Sequence, residues 1–276
     1  MKIAEFKYDV GVGDEWINAG KKNVGKFKLD AKKNLVDAAT GKPSLWVYGI
    51  PFPNLDMKND PDASTKYMYN QLVSIRRMGS ARQPFQIQWV GPRGFERALD
   101  GFWERYYYWA RPDGQQQNSS QRRYMDITRV VKPYDVAGTA QLTLRNLDGK
   151  EDELYVYVPA IRRVKKMSGA NRSDPYMGCD ASVDDGDGWA GLTSSMKWTI
   201  IEEKVGLFVT LDWVPEHTDK MTKLPNGTWR TPADEVPLRF GWNTEGWKHA
   251  AWAGTNVAYI PRDFILVEGM PLDPYY

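Results

Sequence analysis

Residues Phe85-Gln86-Ile87-Gln88-Trp89 indicate the fold class of this chain, because apolar and polar side chains alternate along them with a period of two. The aromatic and aliphatic side chains would share one face of a β-strand, and the two glutamines the other. The same period returns in Met125–Ile127 with Val131, in Ala140–Leu144 and in Leu207–Trp213. Consecutive strands of this kind, separated by short turns, predict an antiparallel sheet.

One amphipathic helix precedes these strands. Asp60 can cap a helix N-terminus, and Pro61 fits its first turn. Apolar side chains then recur at spacings of four and three, and Gly79 supplies a stop. The apolar stripe consists of Met68, Leu72 and Ile75. The pattern predicts a helix over about 61–78.

The remaining chain favours β-structure. Asp148-Gly149 is typical of a hairpin turn, since both residues tolerate positive φ. Helical periodicity is scarce after residue 80, which argues against a doubly wound parallel sheet. We therefore expect a mainly β (α+β) fold, with a large curved antiparallel sheet or half-barrel and a few covering helices. Residues 1–45 show no sustained period and predict an irregular lead-in to a single domain at 46–276.

Two stretches, 102–109 and 154–158, are apolar or aromatic on both strand faces. Such strands need cover on both sides, and their aromatics either fill a core or line a cavity for an apolar ligand. Under the second interpretation the helix and the sheet enclose the ligand. The predicted lining is Met68, Leu72 and Ile75 from the helix, with Trp89, Trp103, Tyr107 and Tyr157 from the sheet.

Composition and charge exclude several classes of function. The 276 residues carry 37 basic and 35 acidic side chains, a net charge of +2, which disfavours a general nucleic-acid role. The sequence has no apolar run long enough for a spanning helix. Cys179 is the single cysteine, so neither an intrachain disulfide nor a zinc site of several thiolates can form.

Known catalytic motifs are mostly missing. Residues 20–27 nearly match a phosphate-binding loop, but Phe27 stands where Ser or Thr is required. The sequence has no hydrolase nucleophile elbow or zinc-protease motif, and His217 and His249 are its only histidines. We expect a protein that is not an enzyme, with no catalytic residue, metal or cofactor to assign.

Two charged clusters leave alternatives open. Asp180–Asp187 is rich in carboxylates but does not fit the EF-hand spacing, so it is either a solvated loop or another kind of cation site. Arg162–Lys166 is the strongest basic run. It is either a solvated hairpin end, a partner for the acidic loop, or a clamp in which Arg162 and Arg163 hold an anionic head group at a cavity mouth.

Two segments together resemble an uncharacterised bacterial family related to the outer-membrane lipoprotein-sorting carriers. The segments are Tyr48–Pro53 followed by Asp60-Pro61, and Tyr155–Val164 followed by Arg172–Asp174, Asp180, Asp184 and Trp189–Gly191. The resemblance implies a lipoprotein-carrier-like sheet around an apolar cavity. It also implies a periplasmic or outer-membrane-associated location after removal of a signal peptide, whose apolar core Met1–Val10 lacks.

The resulting hypothesis is a carrier for a lipid or other hydrophobic small molecule, with a hydrophobe-exporting membrane transporter as a partner that the resemblance implies. One alternative is a structural protein of the cell envelope that self-associates through aromatic surface and an open sheet edge. Another is a hydrolase that uses carboxylates the sequence does not pair.

Overall fold

The structure is a computed structural model that describes residues 14–73, 79–147, 149–167, 175–182, 184–185, 189–211, 222–223, 229–230 and 257–272. The chain divides into two compact units. One comprises residues 11–201 and 267–276, and the other comprises residues 1–10 and 202–266. The candidate site described below lies wholly in the first unit.

The first unit begins with helix α1 (Asp14–Lys21), the hairpin of β1 (Phe27–Leu29) and β2 (Leu35–Asp37), and helix α2 (Ala63–Leu72). Residues 14–45, predicted to be irregular, thus contain a helix and a hairpin. Trp16 and Leu35 belong to the buried core, where their burial stabilises elements too short to show a clear sequence period.

Helix α2 is shorter than predicted. It begins at Ala63 after Asp62 and ends at Leu72, with Val73 as its C-cap, while 74–78 lie outside the described residues. Asp60 is not the cap; its carboxylate accepts the backbone N–H of Asp62 at 2.9 Å just before the helix begins. Met68 and Leu72 of the predicted stripe are buried on the helix, Ile75 lies outside the described residues, and the helix starts two residues later than predicted.

Six consecutive strands form the main sheet, in the order in which they occur in the chain. They are β3 (Ser80–Gly91), β4 (Gly94–Tyr107), β5 (Arg122–Lys132), β6 (Ala140–Asn146), β7 (Glu153–Val158) and β8 (Arg163–Met167). Every neighbouring pair is antiparallel. Strands β3 and β8 are the edges, so the sheet is open, and the predicted mainly β fold is confirmed.

Four more strands follow within the described residues. Strand β9 (Met196–Leu211) pairs with β12 (Val257–Pro271), and β10 (Thr222–Lys223) pairs with β11 (Trp229–Arg230). The predicted strand at 207–213 coincides with β9 as far as Leu211, and residues 212–213 lie outside the described part. Neither described helix has the length and apolar character that a membrane-spanning helix needs.

The core lies at one end of the six-stranded sheet. Trp109 and Ala110, which follow β4, and Leu147, which follows β6, pack there against α2 and the N-terminal segment. Gly49 lets that segment approach α1, because a Cβ at this position would lie 2.3 Å from the backbone N of Gly20. This packing fixes the end of the sheet that we call the anchored end.

The opposite end carries the β3–β4 turn, the β5–β6 loop and the β7–β8 connection. Residues of these connections include exposed side chains, as in Phe95 and Tyr134. We call this the free end. The sheet therefore has one end that packs into the core and an opposite end whose connections expose large apolar side chains.

Candidate functional site

The register of the strands brings alternate residues of β3–β8 onto one face, which we call the cleft face. Trp103 pairs with Thr128, Arg105 with Asp126 and Tyr107 with Tyr124. Continuing across the sheet, Tyr124 pairs with Arg145. Leu99 and Val130 lie on the cleft face towards the free end. Val156 and Leu154 lie on the same face further along β7, in the rows of Thr128 and Asp126.

Buried charges occupy the anchored end of the cleft face. The Arg145 guanidinium donates to the Tyr124 hydroxyl at 2.8 Å, to Asp152 at 2.5 Å and to Asp184 at 2.8 Å. Burial alone would lower the pKa of Arg145, but Tyr124 and the two carboxylates raise it well above its ordinary value. The guanidinium therefore stays charged, and its opposite charges are supplied within the fold.

A second buried pair lies beside it. Arg105 donates through Nε and Nη2 to Asp126, at 3.0 and 2.6 Å, and through Nη1 to the Tyr107 hydroxyl at 2.9 Å. Its guanidinium also stacks 4.1 Å from the centre of the Tyr124 ring and 4.3 Å from that of Trp103. Both members of the Arg105–Asp126 pair are nearly inaccessible to solvent, so the pair is part of the protein interior.

Asp184 and residues 189–191 cover this polar network. The Arg123 guanidinium donates to the carbonyl oxygen of Ala190 at 2.8 Å and more weakly to that of Gly191. A Cβ on Gly191 would lie 2.3 Å from the Trp189 ring and 2.7 Å from the Asp184 carboxylate. Asp184, Trp189, Ala190 and Gly191 thus form the cover over the buried arginines.

One carboxylate of the acidic loop at 180–187 therefore has a structural role. Asp184 is the most buried of its described carboxylates and pairs with Arg145, not with the basic run at 162–166. In the part of the chain that the structure describes, no group of three or more His, Cys, Asp and Glu side chains could hold a metal ion. Asp187, His217 and His249 lie outside the described residues.

An apolar cleft of about 610 Å³ lies at the free end of the same face. Its lining comes from β3 to β8, the β5–β6 loop and residues 175–176, and comprises Trp89, Arg97, Ala98, Leu99, Val130, Pro133, Asp135, Val136, Thr139, Gln141, Leu154, Val156, Met167, Pro175 and Tyr176. Its volume falls within the range of sites that hold small organic molecules.

Residues 175–178 separate the cleft from the polar network. The Trp89 indole N–H donates to the Gly178 carbonyl oxygen at 2.8 Å, which fixes this segment over the sheet. The Tyr176 side chain hydrogen-bonds to Thr128, and burial raises its pKa to about 12. The uncharged Tyr176 side chain therefore lines the cleft, while its hydroxyl group hydrogen-bonds to Thr128 beside the polar network. Cys179 donates its thiol to the Tyr176 carbonyl oxygen at 2.8 Å.

At the outer side of the cleft, the Arg97 guanidinium lies 4.2 Å from the centre of the Trp89 ring. This cation–π contact holds a positive charge beside an apolar wall. An elongated ligand with an apolar body and a polar end would match this combination.

A second cleft, of about 1050 Å³, lies between α1 and the segments around residues 43–48 and 112–115. Charged side chains line it, among them Glu15, Lys22 and Asp37. The near-match to a phosphate-binding loop lies here, but α1 precedes it and β1 follows it, the reverse of the strand–loop–helix order that such a loop requires. The apolar cleft is therefore our candidate site.

The residues predicted from sequence to line a cavity are distributed over several places. Trp89 lines the cleft. Trp103 and Tyr107 lie on the cleft face, but they contact Arg105 in the polar network. Tyr157 lies on the opposite face from Val156 and is partly exposed, as expected for neighbouring residues of a strand.

The helical residues predicted to line the cavity do not contribute to the cleft. Met68 and Leu72 are buried on α2, Leu72 in the core cluster, and α2 contributes nothing to the cleft lining. Ile75 lies outside the described residues. Arg162 and Arg163 are exposed at the β7–β8 connection, where Arg162 has a φ of 49°.

Sequence reasoning missed the β5–β6 loop and Tyr176. The clearest available signal was Pro133 and Val136 in a loop between two strands, since apolar loop residues require cover. No sequence spacing predicts that these loop residues lie near Met167 or Tyr176. Those two residues are brought to the cleft by the order of the strands in the sheet and by the return of the chain after β8.

The comparisons give a family but no activity. A family described as "Protein of unknown function (DUF1329)" matches residues 1–227. The search of curated proteins found no match. The resemblance inferred from the sequence is thus confirmed as to the family.

Two solved structures are similar at a low level. One is a putative outer membrane lipoprotein-sorting protein domain from Vibrio parahaemolyticus, with 16% identity and a TM-score of 0.40, covering 71% of this chain and 55% of that one. The other is a DUF1329 family protein from Desulfovibrio piger ATCC 29098, with 17% identity and a TM-score of 0.38, covering 51% and 56%. This chain spans about half the length of each.

Proposed function

We propose that this chain, which belongs to the DUF1329 family, carries a lipid or other hydrophobic ligand in the cleft at the free end of its sheet. The description of the family names no activity. The observation that supports this proposal is the apolar lining of a cleft large enough for such a molecule. The envelope location, periplasmic or outer-membrane-associated, and a hydrophobe-exporting transporter as partner follow from the sequence resemblance and form part of the proposal.

Binding by burial requires no chemistry. Removing apolar surface from water contributes about 25 cal/mol per Å², so covering an acyl chain or a polycyclic ring supplies several kcal/mol before ordering costs. The buried carboxylates and guanidinium groups of the cleft face are paired with one another at the anchored end. The charged groups that line the cleft itself are Arg97, which stacks on Trp89, and Asp135. This arrangement favours a carrier over an enzyme.

Assembly through an open sheet edge is less well supported. Edge strand β8 carries Arg163, Lys165 and Lys166, all exposed. Positive charges on an edge oppose pairing with a second strand.

The test uses protein stripped of lipid and titrated with the apolar fluorophore N-phenyl-1-naphthylamine. Val156→Arg places a charge in the cleft lining and is expected to weaken probe binding more than roughly tenfold, because the charge must be desolvated when the probe binds. Tyr157→Arg, one residue further along and on the opposite face, is expected to bind the probe like the unmodified protein.

Absence of probe uptake by the unmodified protein would contradict the carrier proposal. Equal losses of probe affinity in both variants would show that the probe does not bind in the cleft. Loss in Tyr157→Arg alone would favour the lining predicted from the sequence. Native mass spectrometry before and after organic extraction would identify a ligand that purifies with the protein.

A further inference from the structure

Large apolar side chains are exposed on all three connections at the free end of the sheet. The β3–β4 hairpin exposes Val90 and Phe95, the β5–β6 loop Tyr134 and Val136, and the β7–β8 connection Ile161. Their exposed fractions run from 38% for Val136 to 97% for Tyr134. At the anchored end, by contrast, Trp109, Ala110 and Leu147 are buried in the core.

The three connections lie side by side. Val90 pairs with Phe95 in the hairpin, and Asp100 of β4 pairs with Lys132 at the end of β5. An added Cβ on Gly138 would lie 3.3 Å from Pro159, so the β5–β6 loop contacts the β7–β8 connection. Trp89, Pro133 and Val136 line the same cleft. The exposed apolar residues therefore lie together at one end of the sheet, beside the cleft, with Val90 and Phe95 on the face opposite to Trp89.

Positive charge is concentrated on this surface. Residues 90–97, 131–139 and 158–166 carry seven Arg or Lys side chains and two acidic ones, whereas the whole chain has a net charge of only +2. The basic residues, all exposed, are Arg93, Arg97, Lys132, Arg162, Arg163, Lys165 and Lys166. Lys132 also lies 3.9 Å from the carboxylate of Asp100, so the free end has an excess of four positive charges around its apolar residues.

We infer that the free end docks onto a bilayer surface that carries anionic head groups. Apolar side chains that enter the interface and cations that contact anionic lipids act together in peripheral membrane binding. The charge complementarity selects an anionic bilayer over a neutral one. The inference goes beyond the carrier proposal, since docking does not require a ligand in the cleft.

The experiment is flotation of the full chain with vesicles of phosphatidylcholine alone or of phosphatidylcholine mixed with phosphatidylglycerol. The unmodified protein is expected to float with the mixed vesicles and to be released by salt. The double variant Arg162→Gln, Arg163→Gln is expected to bind roughly 30-fold more weakly, since each cation near an anionic surface contributes about fivefold. The matched control is the double variant Lys32→Gln, Lys58→Gln, which removes the same charge at two exposed lysines of the N-terminal segment.

A triple variant tests the apolar residues. Phe95→Ser, Tyr134→Ser and Ile161→Ser together are expected to weaken binding more than roughly tenfold. Val24→Ser is the control, since Val24 is 61% exposed on the N-terminal segment. All variants replace exposed side chains, so circular dichroism and the thermal midpoint are expected to match those of the unmodified protein.

Direct insertion is measured with an environment-sensitive fluorophore at Tyr134→Cys in a Cys179→Ser background. Its emission is expected to shift to shorter wavelength on mixed vesicles and to be quenched by lipids labelled in the acyl chain. A shift without acyl-chain quenching would overturn insertion.

Failure of the unmodified protein to float, equal flotation with neutral vesicles, or equal losses in the control variants would overturn the docking inference. So would a doubled mass in light scattering that the triple variant abolishes, because a second copy would then cover the surface. Probe uptake by a protein that does not float would leave the carrier proposal standing, so the two failures are distinguishable.

Discussion

The two ends of the cleft face use the same strands and the same pairing register, yet they bury opposite kinds of side chain. On β5 the face runs from Tyr124 and Asp126 through Thr128 to Val130. At the anchored end Asp184 and residues 189–191 cover the face and the charges are paired, whereas at the free end apolar side chains line a cleft. The chain segment that covers a face therefore decides what the face can do.

The largest loss of stability is expected from disrupting the buried ion pairs at the anchored end. Arg145→Met removes the positive charge that Asp152 and Asp184 share, and losing one member of a buried ion pair costs about 3–5 kcal/mol. The free energy of unfolding from urea titration measures this loss.

Arg129→Met is the matched control. Arg129 pairs with Glu104 on the opposite face of the same sheet, and the two side chains are 49% and 34% accessible to solvent. An exposed pair of this kind contributes less than about 1 kcal/mol. Similar losses in both variants would show that the polar network has no special structural role.

A smaller loss is expected from crowding the cover. Gly191→Ala would bring a methyl group within 2.7 Å of the Asp184 carboxylate and closer still to the Trp189 ring. Overpacking a buried site costs about 1–3 kcal/mol. Urea unfolding measures this cost, and an unchanged midpoint would mean that Gly191 is not packed tightly against Asp184 and Trp189.

The smallest effect is a pH dependence at the boundary between the two ends. The pKa of Tyr176 is about 12 in the folded protein, above its ordinary value of 10.0. Because the folded value is raised, the stabilisation is complete below about pH 10 and is lost as the pH rises towards 12.

Tyr176→Phe is therefore expected to lose less stability between pH 10 and 12 than the unmodified protein. Urea titrations across this range measure the difference. Tyr69, which is also buried and has a raised pKa, remains in both proteins and serves as an internal control. Identical pH dependence would mean that Tyr176 titrates like an exposed tyrosine.

Strand period predicted the sheet well, because alternation depends on neighbouring residues only. It did not predict which face is buried most deeply. Met125 and Ile127 were interpreted as the apolar side of β5, yet Asp126 and Thr128 are more deeply buried. Their burial depends on Arg105 and Tyr176, which are distant in sequence, so no local pattern could show it.

The candidate site was predictable only in part for the same reason. Trp89 was identified because it ends a clear alternation, and it does line the cleft. Met68 and Leu72 share a helical stripe that sequence alone cannot orient, and the structure packs α2 with the N-terminal segment instead. A stripe identifies a buried face but not the element that buries it.

Methionine methyl groups allow the most direct test of a ligand at the apolar end. Met167 lines the cleft, whereas Met68 lies on α2, where the sequence predicted the cavity wall. In protein labelled with ¹³C-methyl methionine and titrated with N-phenyl-1-naphthylamine, we expect the Met167 resonance to shift in proportion to binding and the Met68 resonance to stay in place. A shift of Met68 with no change at Met167 would contradict the account.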